Sequence, residues 1–67
     1  MSDLLSIVII TKDTKELLRQ LLRSIGQDGS LKAFLRETII IDNASADGTG
    51  DMAGSEFPWT VYIRNDR

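Results

Sequence analysis

The apolar residues of this chain fall into three β-branched runs, separated by one amphipathic segment and one glycine-rich segment. The first run, Leu4-Leu5-Ser6-Ile7-Val8-Ile9-Ile10-Thr11, does not alternate between apolar and polar positions. That is the pattern of a strand covered on both faces, as in a parallel sheet. Asp13-Thr14-Lys15-Glu16 follows, an acidic N-cap candidate with a glutamate three residues later. This variant of the capping box predicts that a helix starts there. Leu17, Leu18, Leu21, Leu22 and Ile25 then share one apolar helical face, with Lys15, Arg19 and Arg23 on the solvent side. Gly26 or Gly29 is the expected stop, because glycine takes the left-handed C-cap conformation without steric cost.

Gly26 to Ser30 reads as a loop. Leu31-Lys32-Ala33-Phe34-Leu35 reads as one further helical turn that packs Leu31, Phe34 and Leu35 beneath the sheet. The second β-branched run, Thr38-Ile39-Ile40-Ile41-Asp42, ends in Asn43-Ala44-Ser45-Ala46-Asp47-Gly48, which is dense in turn and cap formers. A second helix after Asp47 is compatible with the pattern but weak, since Gly48, Gly50 and Gly54 each cost about 1 kcal/mol relative to alanine in a helix interior. Trp59-Thr60-Val61-Tyr62-Ile63-Arg64, after Pro58, is the third strand candidate. The order β-α-β-(α)-β predicts an α/β unit of about three parallel strands with flanking helices and right-handed crossovers.

Length changes this picture by limiting the core. Sixty-seven residues make a single small domain, and such a chain buries only about 60% of the surface its unfolded form exposes. With no cysteine, neither a disulfide nor a thiolate metal site supports it, so hydrophobic packing must. Eight basic against ten acidic residues give a net charge of -2, and no basic run offers a nucleic-acid footprint. The apolar stretch Ile7 to Ile10 is far short of the roughly 20 residues that cross a bilayer, and the N-terminus lacks the basic flank of a signal peptide. A cytoplasmic location is expected, without a direct membrane segment.

In open α/β sheets ligands bind at the carboxyl ends of the strands, which directs attention to Thr11 to Asp13, Asp42 to Asp47 and the residues after Ile63. Asp42 has two readings. It can accept hydrogen bonds from a base imide or a ribose hydroxyl, or it can be a turn aspartate bonding its own following amides. Asp47, before Gly48-Thr49, suits a helix cap or turn better than a ligand contact. Asn43 to Gly48 has the alternating oxygens of a calcium loop, but its twelfth position is Gly54 instead of a bidentate glutamate, which rules that reading out. Gly48-Thr49-Gly50 is too short, and follows the wrong strand, for a dinucleotide fingerprint. Without histidine or a Gly-x-Ser-x-Gly elbow, the chain offers no evident catalytic constellation. Trp59 suits core packing better than base stacking, and Lys12 suits solvent better than a diphosphate contact.

Two stretches together, Ser6-Ile7-Val8-Ile9-Ile10-Thr11-Lys12-Asp13 and Ile39-Ile40-Ile41-Asp42-Asn43-Ala44-Ser45-Ala46-Asp47-Gly48-Thr49, resemble the opening of family 2 glycosyltransferases of the GT-A type. Val61-Tyr62-Ile63-Arg64-Asn65 looks like that family's third strand and the asparagine after it. The resemblance covers nearly the whole chain and implies one partial domain over residues 1–67, the N-terminal nucleotide-sugar-binding half of a Rossmann-like GT-A fold. Such enzymes transfer a sugar from a nucleotide-diphosphate sugar to an acceptor hydroxyl, usually with Mn²⁺ or Mg²⁺ on the diphosphate. By resemblance the nucleotide-binding residues are Thr11, Asp13, Asp42 and Asn43, with Thr11 using its backbone and Asp42 accepting from the base imide. Asp13 stands where family members often carry a base-stacking aromatic. The family's metal-binding Asp-x-Asp and general-base carboxylate follow its third strand, and no Asp-x-Asp occurs here. Neither metal binding nor catalysis is therefore expected of this segment, and the metal is implied only for the complete enzyme.

The resemblance also implies that strand one, central in the family's sheet, is an edge in this segment. Residues 5–11 are apolar, β-branched and free of Pro and Lys, the composition that natural edge strands avoid. A homo-oligomer joined through this strand is expected.

Overall fold

The unalternated apolar runs become strands, because β-branched side chains suit a half-buried pleated surface. In the computed structural model, which describes residues 4–66 without the side chains of Lys32, Leu35 and Arg36, strand β1 covers Leu5–Thr11, β2 covers Leu35–Asp42 and β3 covers Val61–Arg64. Helices α1 (Lys15–Gln27), α2 (Gly29–Lys32) and α3 (Thr49–Glu56) lie between them. Both strand pairings are parallel and the order is β1-β2-β3, so the α/β architecture expected from the sequence is the one found. Register places Thr11 beside Asp42 and Asp42 beside Arg64. The carboxyl ends of all three strands therefore lie in one row.

Side chains alternate across a strand, and the two faces of this sheet differ. Ile7 and Ile9 of β1, Ile40 of β2 and Tyr62 of β3 meet Leu18, Leu22 and Ile25 of α1, Met52 and Ala53 of α3, and Phe57. This is the core. On the other face, Val8, Ile10, Val61 and Ile63 are exposed, with Ile39 and Ile41 half-buried between them. Strand β1 is thus covered on one face, whereas its pattern predicted two. An unbroken apolar run is compatible with double burial but cannot supply the second layer, and all three helices precede or connect strands on the same side.

Several local expectations change for identifiable reasons. The N-cap of α1 is Thr14, and Asp13 adopts a left-handed φ of 50° instead of capping. The helix runs through Gly26 and ends at Gln27, with Asp28 as C-cap in extended geometry. Neither glycine stops it, because the Asp28 side chain accepts from the Leu31 amide at 2.9 Å and starts α2 at once. Of the five-residue apolar face only Leu18, Leu22 and Ile25 are buried, and Leu17 remains 67% exposed. Arg19, expected on the solvent side, lies at the α1–α3 seam, where its guanidinium bonds Glu56 at 2.8 Å and also Glu16. The short helix begins two residues before the predicted turn and leaves Phe34 exposed, while Leu31 packs on the core. Leu35 opens β2, and its expected packing beneath the sheet lies outside the described side chains. Trp59 is half-exposed, with its ring edge-on to Phe57 at 6.1 Å. Among the described residues no helix is long and apolar enough to cross a membrane.

Candidate functional site

The row of strand ends becomes a single hydrogen-bonded unit because the loop after β2 folds back onto the turn after β1. The Asn43 amide donates to the Thr11 carbonyl at 2.9 Å. Beyond it, the Asp13 amide donates to Ser45 Oγ at 2.8 Å, and the Ala46 amide donates to Asp13 Oδ1 at 2.7 Å. This reciprocal clasp explains the left-handed Asp13, since that conformation is tolerated by aspartate when its short side chain bonds locally. Ala44 is also left-handed, with φ 59°. The four residues singled out from the sequence, Thr11, Asp13, Asp42 and Asn43, thus come together at one end of the sheet.

Asp42 lies at the centre and is fully buried. Its Oδ1 accepts from the Ser45 amide at 3.0 Å and the Ser45 hydroxyl at 2.5 Å, while Oδ2 accepts from the Tyr62 hydroxyl. Arg64 Nη1 lies 3.9 Å from Oδ2 and donates to the Ser45 carbonyl at 3.2 Å. Burial alone would raise the Asp42 pKa. The hydrogen bonds from Ser45 and Tyr62, with the Arg64 charge, outweigh it and hold the carboxyl below the ordinary aspartate value. Tyr62 moves the other way, raised by burial and by its hydrogen bond to the carboxylate.

Asp47 serves two helices. Its Oδ2 accepts from the first α1 amide, Lys15, at 3.0 Å, and its Oδ1 accepts from Thr49 Oγ1 at 2.5 Å and the Thr49 amide at 3.2 Å. The hydrogen bond from Thr49 holds its pKa below the ordinary value. Capping, the reading favoured for Asp47, describes both contacts. Gly48 between them needs its φ of 84°, a conformation that glycine reaches without Cβ strain.

The exposed rim consists of Lys12, Asp13 and, half-buried, Asn43, whose Oδ1 accepts from Asn65 Nδ2 at 3.2 Å. Tyr62, Ser45 and Arg64 complete the surroundings of Asp42 and were not singled out from the sequence as site residues. Register would have found Arg64, since it is opposite Asp42, whereas Tyr62 bonds diagonally and no spacing rule marks it. Trp59 lies at the opposite, amino end of β3, too far along the strand to serve this rim as a stacking platform.

The donor set does not fit a divalent cation. Asp42 and Asp47 use both carboxylate oxygens within the protein, Asp13 uses one, and among the described residues no group of three acidic, His or Cys side chains could hold a metal. What the arrangement offers chemically is recognition through Lys12, the Asp13 carboxylate, the Asn43 amide group and exposed backbone. No protein-family model matches this chain, and neither a curated protein nor a solved structure matches it.

Proposed function

We propose that this chain is a nucleotide-sugar-binding segment of the glycosyltransferase kind, which takes up the nucleotide part of a nucleotide-diphosphate sugar and by itself transfers nothing. The observation that carries the reading is the clasp joining the turn after β1 to the Asp-Asn-Ala-Ser loop after β2. It brings Asp13 and Asn43 together with the buried Thr11 and Asp42 at the carboxyl ends of parallel strands, where open α/β sheets hold their ligands. The base would lie against Thr11 and Asn43, with its imide directed to Asp42. A metal, where one takes part, is held by residues other than those described. The proposed location is cytoplasmic.

A second reading, a non-catalytic structural α/β module, is favoured by one observation: both oxygens of the buried Asp42 carboxylate accept hydrogen bonds from Ser45 and Tyr62. Tyr62→Phe separates the two. It frees Asp42 Oδ2 and removes nothing from the rim. If Asp42 takes the base imide, a ¹⁵N titration with UDP should move the Thr11, Asp13 and Asn43 amides first. The dissociation constant, on the order of millimolar for so few contacts, should then tighten in the variant. No shift at these amides with any nucleoside diphosphate, in either protein, leaves only the structural reading.

A further inference from the structure

We infer that Asp28-Gly29 is a site of spontaneous isoaspartate formation, and that the fold protects Asp47-Gly48, the same dipeptide at the other end of the sheet, from the same reaction. These are the two Asp-Gly pairs of the sequence. Glycine leaves the nitrogen that follows the aspartate uncrowded, and the reaction needs only the chain and water. The Gly29 nitrogen attacks Cγ of the neutral Asp28 carboxyl. An N–Cγ bond forms, the Cγ–O bond to the hydroxyl breaks, and the amide proton and the hydroxyl leave as water. The resulting five-membered succinimide takes up water again. Addition at Cγ returns aspartate, whereas addition at the main-chain carbonyl carbon breaks its bond to the Gly29 nitrogen. The chain then continues through Cβ and Cγ as isoaspartate, with no net change of mass.

The surroundings of Asp28 leave this route open. Gln27, Asp28, Gly29 and Ser30 are all exposed, and a Cβ built on Gly29 would meet nothing within 4 Å. The Asp28 carboxylate commits one oxygen, Oδ1, to the Leu31 amide at 2.9 Å. The Gly29 amide, first in α2, has no acceptor among the described residues, as the opening amides of a helix have none inside it. Ring closure turns the Asp28 Cα–C bond away from its extended ψ of 100° and releases the cap. What opens is a four-residue helix, too short to be stable through its own hydrogen bonds. It lies in a stretch of exposed backbone, where local opening costs least.

Asp47 is exposed as well and also precedes a glycine, so neither sequence nor exposure separates the two positions. Hydrogen bonding does. Both Asp47 oxygens are engaged, Oδ2 by the Lys15 amide at 3.0 Å and Oδ1 by the Thr49 hydroxyl at 2.5 Å and the Thr49 amide at 3.2 Å. These bonds tie the start of α1 to the start of α3, where Thr49 is fully buried. Turning Cγ toward the Gly48 nitrogen breaks three hydrogen bonds and detaches two helix starts, whereas Asp28 breaks one. The bond from Thr49 also keeps the Asp47 carboxyl ionised to lower pH, and the ionised form does not lose water. At Asp28 the product lengthens the main chain by one methylene between α1 and α2. It also removes the cap from Leu31, whose side chain packs on the core.

Ageing the folded protein at body temperature and near-neutral pH in heavy-oxygen water tests this, with peptide mapping by electron-transfer mass spectrometry. Fragmentation distinguishes the two isomers, and each ring opening leaves one heavy oxygen. Isoaspartate should accumulate at position 28 about tenfold or more faster than at position 47, because Asp47 has additional hydrogen bonds to a charged group to break. In urea, where both loops are unfolded, the two positions should react at similar rates. Gly29→Ala, at an open position without a left-handed φ, should keep the far-UV spectrum and the melting midpoint while suppressing the reaction at Asp28. Thr49→Val, which removes one hydrogen bond from Asp47, should speed the reaction at 47 and leave 28 unchanged. Three results overturn the inference: equal rates at the two positions in the folded protein, no isoaspartate at 28 in the folded protein while the chain in urea forms it, or accumulation at 28 that Gly29→Ala does not slow.

Discussion

One substitution made at two places in the same helix separates local propensity from packing at the candidate site. Gly50 and Gly54 both lie in α3, and alanine is better than glycine in a helix interior by about 1 kcal/mol. At Gly54 a new Cβ meets nothing within 4 Å. Gly54→Ala should therefore stabilise the protein by about 0.5–1 kcal/mol. At Gly50 the same atom would lie 2.8 Å from the Tyr62 hydroxyl and 3.0 Å from the ring carbon bearing it. The ring has to shift, and the hydroxyl then leaves Asp42. A hydrogen bond to a charged group contributes about 1.5–3 kcal/mol, which exceeds the propensity gain, so Gly50→Ala should destabilise by about 1 kcal/mol. For a domain of this size that separation, about 1.5–2 kcal/mol, moves the two midpoints apart by about 6–16 °C. Urea and thermal unfolding followed by circular dichroism, at one fixed protein concentration because association shifts apparent stability, measures it. Equal stabilisation by both variants would refute the reasoning and mean that Tyr62 does not hold Asp42.

Two further outcomes follow from buried polar groups. Thr38 is 1% exposed and its hydroxyl has no hydrogen-bond partner among the described residues; Thr38→Val removes an unpaired buried donor at constant shape and should raise stability by about 1–2 kcal/mol, while Thr38→Ser should lower it, both read as urea midpoints at constant slope. Asp42 has a folded pKa below its unfolded value, so its contribution is present above about pH 4 and is lost as pH falls through the lower folded value. Tyr62 is raised, so its contribution holds below about pH 10 and is lost above it. Asp42→Asn should flatten the acid limb of the stability profile, measured by unfolding from pH 2 to 7.

The strands and their parallel order were legible because runs of Ile, Val and Thr bounded by turn formers have few other uses in a short chain. Helix α3 was harder to read, since three nearby glycines weaken it and the reasons for two of them are spatial: Gly48 supplies a left-handed turn and Gly50 admits Tyr62. The open sheet face was misread for a related reason. A run such as Ile7-Val8-Ile9-Ile10 records that both faces are apolar, not that both are covered. At the site, Thr11, Asp13, Asp42 and Asn43 could be placed together from strand ends alone. That Asp13 clasps the second loop through Ser45 and Ala46, and that Tyr62 reaches Asp42 across the sheet, depends on register and backbone conformation that no local pattern encodes.

The same hydrogen bonds bear on how strongly such a site could hold a ligand. For a base imide to reach Asp42 Oδ2, the Tyr62 hydroxyl must give way, at a cost of about 1.5–3 kcal/mol. That corresponds to roughly a tenfold to hundredfold loss of affinity. The clasp offsets part of it by fixing Asp13 and the Asn43 to Asp47 loop before any ligand arrives, and preorganised groups lose less entropy on binding. A site organised this way trades affinity for stability at a single carboxylate. Variants that weaken the Tyr62 bond should then bind a nucleotide more tightly and fold less stably, in proportion. If Asp42 is only structural, Tyr62→Phe and Gly50→Ala lower stability and leave nucleotide affinity where it was.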